Sequence, residues 1–152
     1  MRITVLGATG MAGTAVVNEA LSRGHEVTAV SRRRCHRVGA RLTSRLLDVS
    51  DVEGVAGLLT DSDVAVVALR PPAGHESDLA RLTTAVLDAA SRGRTPLLII
   101  GGAAPLNSPG NPRTLAIDDP TIVPPAWRDV AQASLDQFRA CQAHNYKGWV
   151  YL

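Results

Sequence analysis

Aromatic residues are nearly missing from this chain: two tryptophans, two tyrosines and one phenylalanine stand among 152 residues. That scarcity excludes a core built around stacked rings. With 45% hydrophobic residues the interior has to be assembled from Ala, Val, Leu and Ile. Cysteine is sparse too. Cys35 and Cys141 share no metal-ligand spacing, so both read as reduced thiols and no metal site is expected. No apolar run approaches the roughly eighteen residues that a bilayer span requires. The first strand opens almost at the amino terminus, which leaves no room for a signal peptide, so the expectation is a cytoplasmic protein without a membrane partner. Lysine is the last scarcity, since Lys147 stands alone among sixteen basic residues. Against fourteen acids this gives a net charge of +2. The one basic cluster, residues 32–45, lacks interleaved aromatics, and no nucleic-acid partner is expected.

What the chain does have is concentrated at its start. A short apolar strand, residues 3–6, runs into Gly7-Ala8-Thr9-Gly10-Met11-Ala12-Gly13, then a helix over Met11–Ser22, then a second strand ending Val30-Ser31-Arg32. Gly7 suits a tight exit from the strand, Gly10 a close backbone approach to a pyrophosphate, and Gly13 close packing of helix on sheet. The unpaired N–H groups and positive end of the helix add a preference for an anion. Gly7, Thr9, Gly10, Met11, Ala12 and Gly13 are therefore expected to hold a dinucleotide pyrophosphate. Strand, turn, helix and strand fit within about thirty residues, the size of a βαβ unit.

Sites that prefer NAD usually carry an acid at the end of the second strand, for the ribose hydroxyls. Here Ser31, Arg32 and Arg33 stand there instead, followed by Arg34, Arg37, Arg41 and Arg45, with no acid until Asp48. A guanidinium fork matches a phosphate in geometry and charge, so Ser31 and Arg32, supported by Arg33, are expected to receive an adenosine 2′-phosphate. The expected cofactor is NADP.

Further along, residues 41–47 read as a third strand and 52–59 as a helix capped by Asp51. The continuous apolar run 64–69 reads as a buried parallel strand. Residues 79–90 show helical spacing with Gly93 as a stop signal, and 96–100 form the next buried strand. Residues 102–125 hold six prolines and two glycines and read as a long loop without regular periodicity. Helical spacing returns over 127–143, and 148–152 open a last strand. Trp127, Phe138 and Trp149 are expected in the core. The alternation predicts one domain, 1–152, with a doubly wound parallel α/β sheet in the order 3-2-1-4-5-6. Ligands of such sheets bind beyond the carboxyl ends of the strands at the switch point, which nominates residues 7–13, 31–33, 68–72 and 101–104 together with Asp48.

These features resemble the atypical short-chain dehydrogenase/reductases, in particular the small NAD(P)H-binding group that includes flavin reductases and NmrA-like proteins. The resemblance is carried by Gly7-Ala8-Thr9-Gly10, Gly24-His25-Glu26-Val27-Thr28 leading to Ser31-Arg32, Leu47-Asp48-Val49, Ile100-Gly101-Gly102-Ala103 and Gly148-Trp149-Val150-Tyr151. It implies that Asp48 and Val49 bracket the adenine, and that Ala68, Leu69 and Arg70 run beside the nicotinamide ribose. Members of the family commonly continue for several dozen residues past the last strand seen here, a continuation that closes the substrate side.

The superfamily's Tyr-x-x-x-Lys proton donor has no counterpart in this chain, and Ala103 and Ala104 stand where small atypical members often place a hydroxyl. Catalytic residues are therefore unassigned. His75 and Glu76 are candidates to lie over the nicotinamide, though a solvated loop pair is the plainer reading. Asn107 and Ser108 are candidate donors to a carbonyl, with turn formation as the plainer reading. The resemblance implies an NADPH-dependent oxidoreductase passing hydride to a small acceptor such as a flavin or quinone, with a non-catalytic NADP-binding sensor as the alternative.

Overall fold

The computed structural model describes residues 1–33 and 39–152. Arg34, Cys35 and Arg37 of the basic connection lie outside the described residues. Six strands form one parallel sheet: β1 (Arg2–Leu6), β2 (Glu26–Ser31), β3 (Leu42–Leu46), β4 (Val64–Val67), β5 (Leu97–Ile99) and, last in the chain, β8 (Trp149–Tyr151). Their order is β3-β2-β1-β4-β5-β8, the predicted doubly wound arrangement once the last strand is counted sixth. β1 lies at the centre, with Leu6 in register with Val30 on one side and Val67 on the other.

Successive side chains of a strand point to opposite faces, and the sequence fills both. Leu6, Val30, Val67 and Ile99 join one core cluster, which holds Val55 and Leu59 of α2 (Val52–Thr60), Val86 and Leu87 of α3 (Asp78–Gly93) and Cys141 of α4 (Arg128–Ala143). Val5, Ala29 and Val66 join the other, closed by Val17 and Ala20 of α1 (Met11–Ser22). The two faces are thus covered by three helices and by one. Asp51 caps α2 as predicted, its carboxylate accepting from the Gly54 N–H at 3.0 Å.

Three expectations require correction. The stop after α3 is made by Arg94 in the left-handed region at φ 53°, with Gly93 as the last helical residue. Residues 102–125 are not structureless: β6 (Asn107–Ser108) pairs with β7 (Asn111–Leu115) as a small antiparallel hairpin, and single 3₁₀ turns follow at Ala116–Asp118 and Pro125–Trp127. This segment is held down by Ala104, Ile117 and Leu135 in a cluster of their own and by the Ser108 hydroxyl, which donates to Asp119 at 2.6 Å. Trp127 is not a core residue but 56% exposed, because it sits on the turn that precedes α4. Phe138 and Trp149 are partly buried and meet edge to face, with ring centroids 6.4 Å apart.

A polar seam runs through the three-helix side. The Tyr151 hydroxyl lies 3.0 Å from the Ser134 carbonyl, 3.2 Å from Ser134 Oγ and 3.2 Å from Gln137 Oε1. The fully buried Gln137 donates onward from Nε2 to Thr83 Oγ1 at 3.2 Å, tying α4 to α3. Buried polar groups are costly unless paired, and this chain of contacts pairs them.

Candidate functional site

The N–H groups of Gly7 and Ala8 both reach the Val30 carbonyl, at 3.0 and 3.1 Å, and the Gly10 N–H closes onto the Gly7 carbonyl at 3.0 Å. This compact turn brings the chain off β1 and directly into α1. Gly7 has φ +87°, and a Cβ there would overlap the Ala68 carbonyl. A Cβ on Gly13 would overlap the Gly7 carbonyl oxygen. Gly10 is different: its nearest atom to an added Cβ is the Gly7 oxygen at 3.4 Å, so the protein itself leaves that space open. Two glycines let the chain pack on itself, and the middle one keeps a surface clear.

Beyond the turn lies a cleft of about 720 Å³ over the carboxyl ends of β1, β2, β3 and β4. Gly7, Thr9 and Gly10 form its base, with Ser31, Arg32 and Arg33 at the end of β2. Asp48 and Val49 enter from the end of β3, and Ala68, Leu69 and Arg70 from the end of β4. Met11, Ala12 and Gly13 stand behind this lining as the first turn of α1. That turn has no side-chain cap, so its leading N–H groups have no partner within the helix. The Met11 side chain is 90% exposed.

The nominated segment 101–104 does not line the cleft. A Cβ on Gly101 would run into the Tyr151 ring, one on Gly102 would stand 2.8 Å from Ser134 Oγ, and Ala104 is buried. These small residues accommodate the packing of α4 and β8. Ser108 is engaged with Asp119, Asn107 lies in the hairpin, and neither reaches the cleft. His75 does line it, with Asp78 rather than Glu76 as its neighbour, Nδ1 to Oδ2 at 3.8 Å.

Six lining residues had no place among the sequence candidates: Val30, Leu47, Ser50, Asp78, Arg81 and Leu82. Ser50 has a clear task, since its N–H and hydroxyl both donate to Asp48 Oδ1, at 2.9 and 2.8 Å. These bonds, reinforced by the charges of Arg32 and Arg81, hold the Asp48 carboxyl below the usual aspartate range. The Ser31 hydroxyl donates to the Arg33 carbonyl at 2.5 Å, fixing the chain as it leaves β2. Among the described residues Arg32, Arg33 and Arg70 make no ion pair. Uncompensated guanidinium groups at the rim of a cleft favour an anionic occupant.

Among the described residues no tyrosine hydroxyl or lysine ammonium lines this space. The Tyr146 hydroxyl donates to the Thr95 carbonyl at 2.7 Å, Tyr151 belongs to the seam, and Lys147 Nζ donates to the Gln142 carbonyl at 2.5 Å. Burial raises both phenols above the usual tyrosine range. Among the described residues no group of His, Cys, Asp and Glu side chains is arranged to hold a metal ion.

A parallel sheet of this order, with a glycine turn at the central strand and an open cleft at the switch point, defines a Rossmann-like protein. Residues 7–144 match the sequence profile of the NAD(P)H-binding family, and the chain belongs to that family. It is 28% identical over 155 residues to the uncharacterized protein YwnB of Bacillus subtilis strain 168, covering all of this chain and 70% of that protein. Among solved structures, one described as a candidate NADH-flavin reductase from Streptococcus pneumoniae TIGR4 superimposes with a TM-score of 0.78 at 27% identity, over 99% of this chain and 70% of the other. A candidate epimerase from Bacteroides thetaiotaomicron superimposes with a TM-score of 0.83 at 26% identity, over 99% and 68%. Among the described residues no helix is long and apolar enough to cross a membrane.

Proposed function

We propose that this chain is an NADPH-dependent oxidoreductase that passes hydride to a small acceptor, a flavin or a quinone, in the cytoplasm. One observation carries the reading. The uncapped first turn of α1, with the open surface of Gly10, shares a cleft with Arg32 and Arg33, whose guanidinium groups lack ion pairs among the described residues. Pyrophosphate and 2′-phosphate are two anions separated by a ribose, and the two features suit one each.

In this reading Gly7, Thr9 and Gly10, with the N–H groups of Met11, Ala12 and Gly13, bind the pyrophosphate. Ser31, Arg32 and Arg33 bind the 2′-phosphate. Asp48 and Val49 flank the adenine, while Ala68, Leu69 and Arg70 lie along the nicotinamide half. The bound cofactor supplies a hydride, two electrons and one proton. A flavin or quinone takes its remaining proton from water, so these acceptors suit a cleft without a tyrosine or lysine donor.

The same absence favours a second reading, an NADP-binding sensor without turnover. Both tyrosine hydroxyls and the one lysine ammonium are engaged elsewhere. Calorimetric titration of NADPH and NADH into the protein, followed by nicotinamide absorbance after adding FMN and a simple quinone, separates the two. Selective NADPH binding with oxidation supports the reductase, and binding without oxidation supports the sensor. Failure to bind either cofactor overturns both.

A further inference from the structure

Resting on the NADPH reading, we propose that Arg81 of α3 is a second specificity determinant, gripping the 2′-phosphate from a different element than Arg32. β2 delivers Arg32 to the cleft, whereas α3 delivers Arg81 and Leu82 from its first turns. The direction of Arg81 is set by Asp78, whose Oδ1 accepts from Nη2 at 3.1 Å, one helical turn back. Arg32 and Arg81 both act electrostatically on Asp48, yet neither forms an ion pair with it, and that carboxylate is instead tied to Ser50. The cleft lining therefore carries four guanidinium groups, those of Arg32, Arg33, Arg70 and Arg81, against the two carboxylates of Asp48 and Asp78.

Like charges held near one another repel unless a counter-anion lies between them. A phosphomonoester carries about two negative charges near neutral pH and presents three acceptor oxygens, enough for two guanidinium forks. Beside the arginines, Val49 and Leu82 offer apolar surface of the kind that receives a flat base. An adenosine bearing a phosphate on its ribose matches this combination, and one without it leaves Arg81 with Asp78, at 3.1 Å, as its ion-pair partner among the described residues.

The test uses Arg81→Met, which keeps the apolar stem, and Arg81→Lys, which keeps the charge but loses the fork. NADPH, NADH, adenosine 2′,5′-bisphosphate and ADP are titrated into each variant and the parent protein. For Arg81→Met, NADPH and the bisphosphate should bind about five- to twentyfold more weakly, with NADH and ADP within about twofold, the size expected for loss of one charge-assisted contact. Arg81→Lys should fall between. Equal loss for all four ligands, or no loss for any, overturns the Arg81 assignment while leaving the NADPH reading intact if the parent protein still prefers NADPH. A parent protein that binds no nicotinamide cofactor overturns the reading itself, and this inference with it.

Discussion

The cleft and the seam between α4 and β8 hold side chains of similar polarity and use them in opposite ways. In the seam the groups answer one another: Ser134, Tyr151, Gln137 and Thr83 form a run of contacts from one helix to the next. In the cleft Arg32, Arg33 and Arg70 have no ion-pair partner among the described residues, and the N–H groups at the start of α1 have no cap. One region fixes how elements meet, and the other keeps its hydrogen-bonding capacity for a ligand.

The glycine turn contains this contrast in miniature, and its variants should produce the largest effects. Gly7→Ala forces a Cβ against the Ala68 carbonyl at a backbone angle that L residues seldom adopt. It should cost about 2–4 kcal/mol of stability, read from the urea midpoint, and remove cofactor binding with it. Gly10→Ala meets nothing closer than 3.4 Å. It should leave stability within about 1 kcal/mol while weakening NADPH at least about tenfold. If Gly10→Ala unfolds the protein, or binds NADPH as well as the parent, the division of labour is wrong.

In the seam, Tyr151→Phe removes one hydroxyl and leaves Ser134 Oγ and Gln137 Oε1 short of a partner. Stranding buried polar groups should cost about 1–3 kcal/mol. Cofactor affinity should not move. The mirror experiment is Arg32→Ala, expected to lower NADPH affinity by about tenfold, little for NADH, and to leave the urea midpoint unchanged, because an exposed arginine with no ion pair among the described residues contributes little to the fold. If the tyrosine variant changes affinity as much as stability, the seam is not separate from the cleft.

The same contrast explains what could be read from residue order. Strand ends are local: the apolar run 3–6 stops with β1 and the run 64–69 passes the end of β4 by two residues, close enough for Gly7, Ser31, Asp48 and Ala68 to be placed at one edge from residue order alone. Arg81 and Leu82 reach that edge only through the docking of α3, and no spacing rule orients a helix about its own axis. Segment 101–104 shows the reverse error. The carboxyl-end rule nominated it, but Tyr151 and Ser134 press against Gly101 and Gly102, a contact across the chain from residues with no sequence signature. The hairpin was hidden because Pro112 within β7 reads as a strand breaker, although a proline is tolerated at an exposed edge.

Cys141 provides the subtlest separation of the two regions. It is fully buried in the three-helix cluster, and burial pushes its thiol from 9.0 up to about 11. The folded protein thus holds this proton more tightly than the unfolded chain. The stabilising contribution is complete below about pH 9 and is lost as pH rises from there through about 11. Both tyrosines are also raised by burial, so wild type should lose stability in alkali through several groups at once. Urea midpoints for wild type and Cys141→Ala isolate the thiol: their difference should be constant up to about pH 9 and then shift in favour of the alanine variant as pH approaches 11. NADPH affinity at neutral pH should be the same in both proteins, since Cys141 packs on the far side of the sheet from α1 and outside the cleft lining. A flat difference across the alkaline range would mean that the thiol is as accessible to water as the cleft is, and that the helical side of this sheet is looser than its packing indicates.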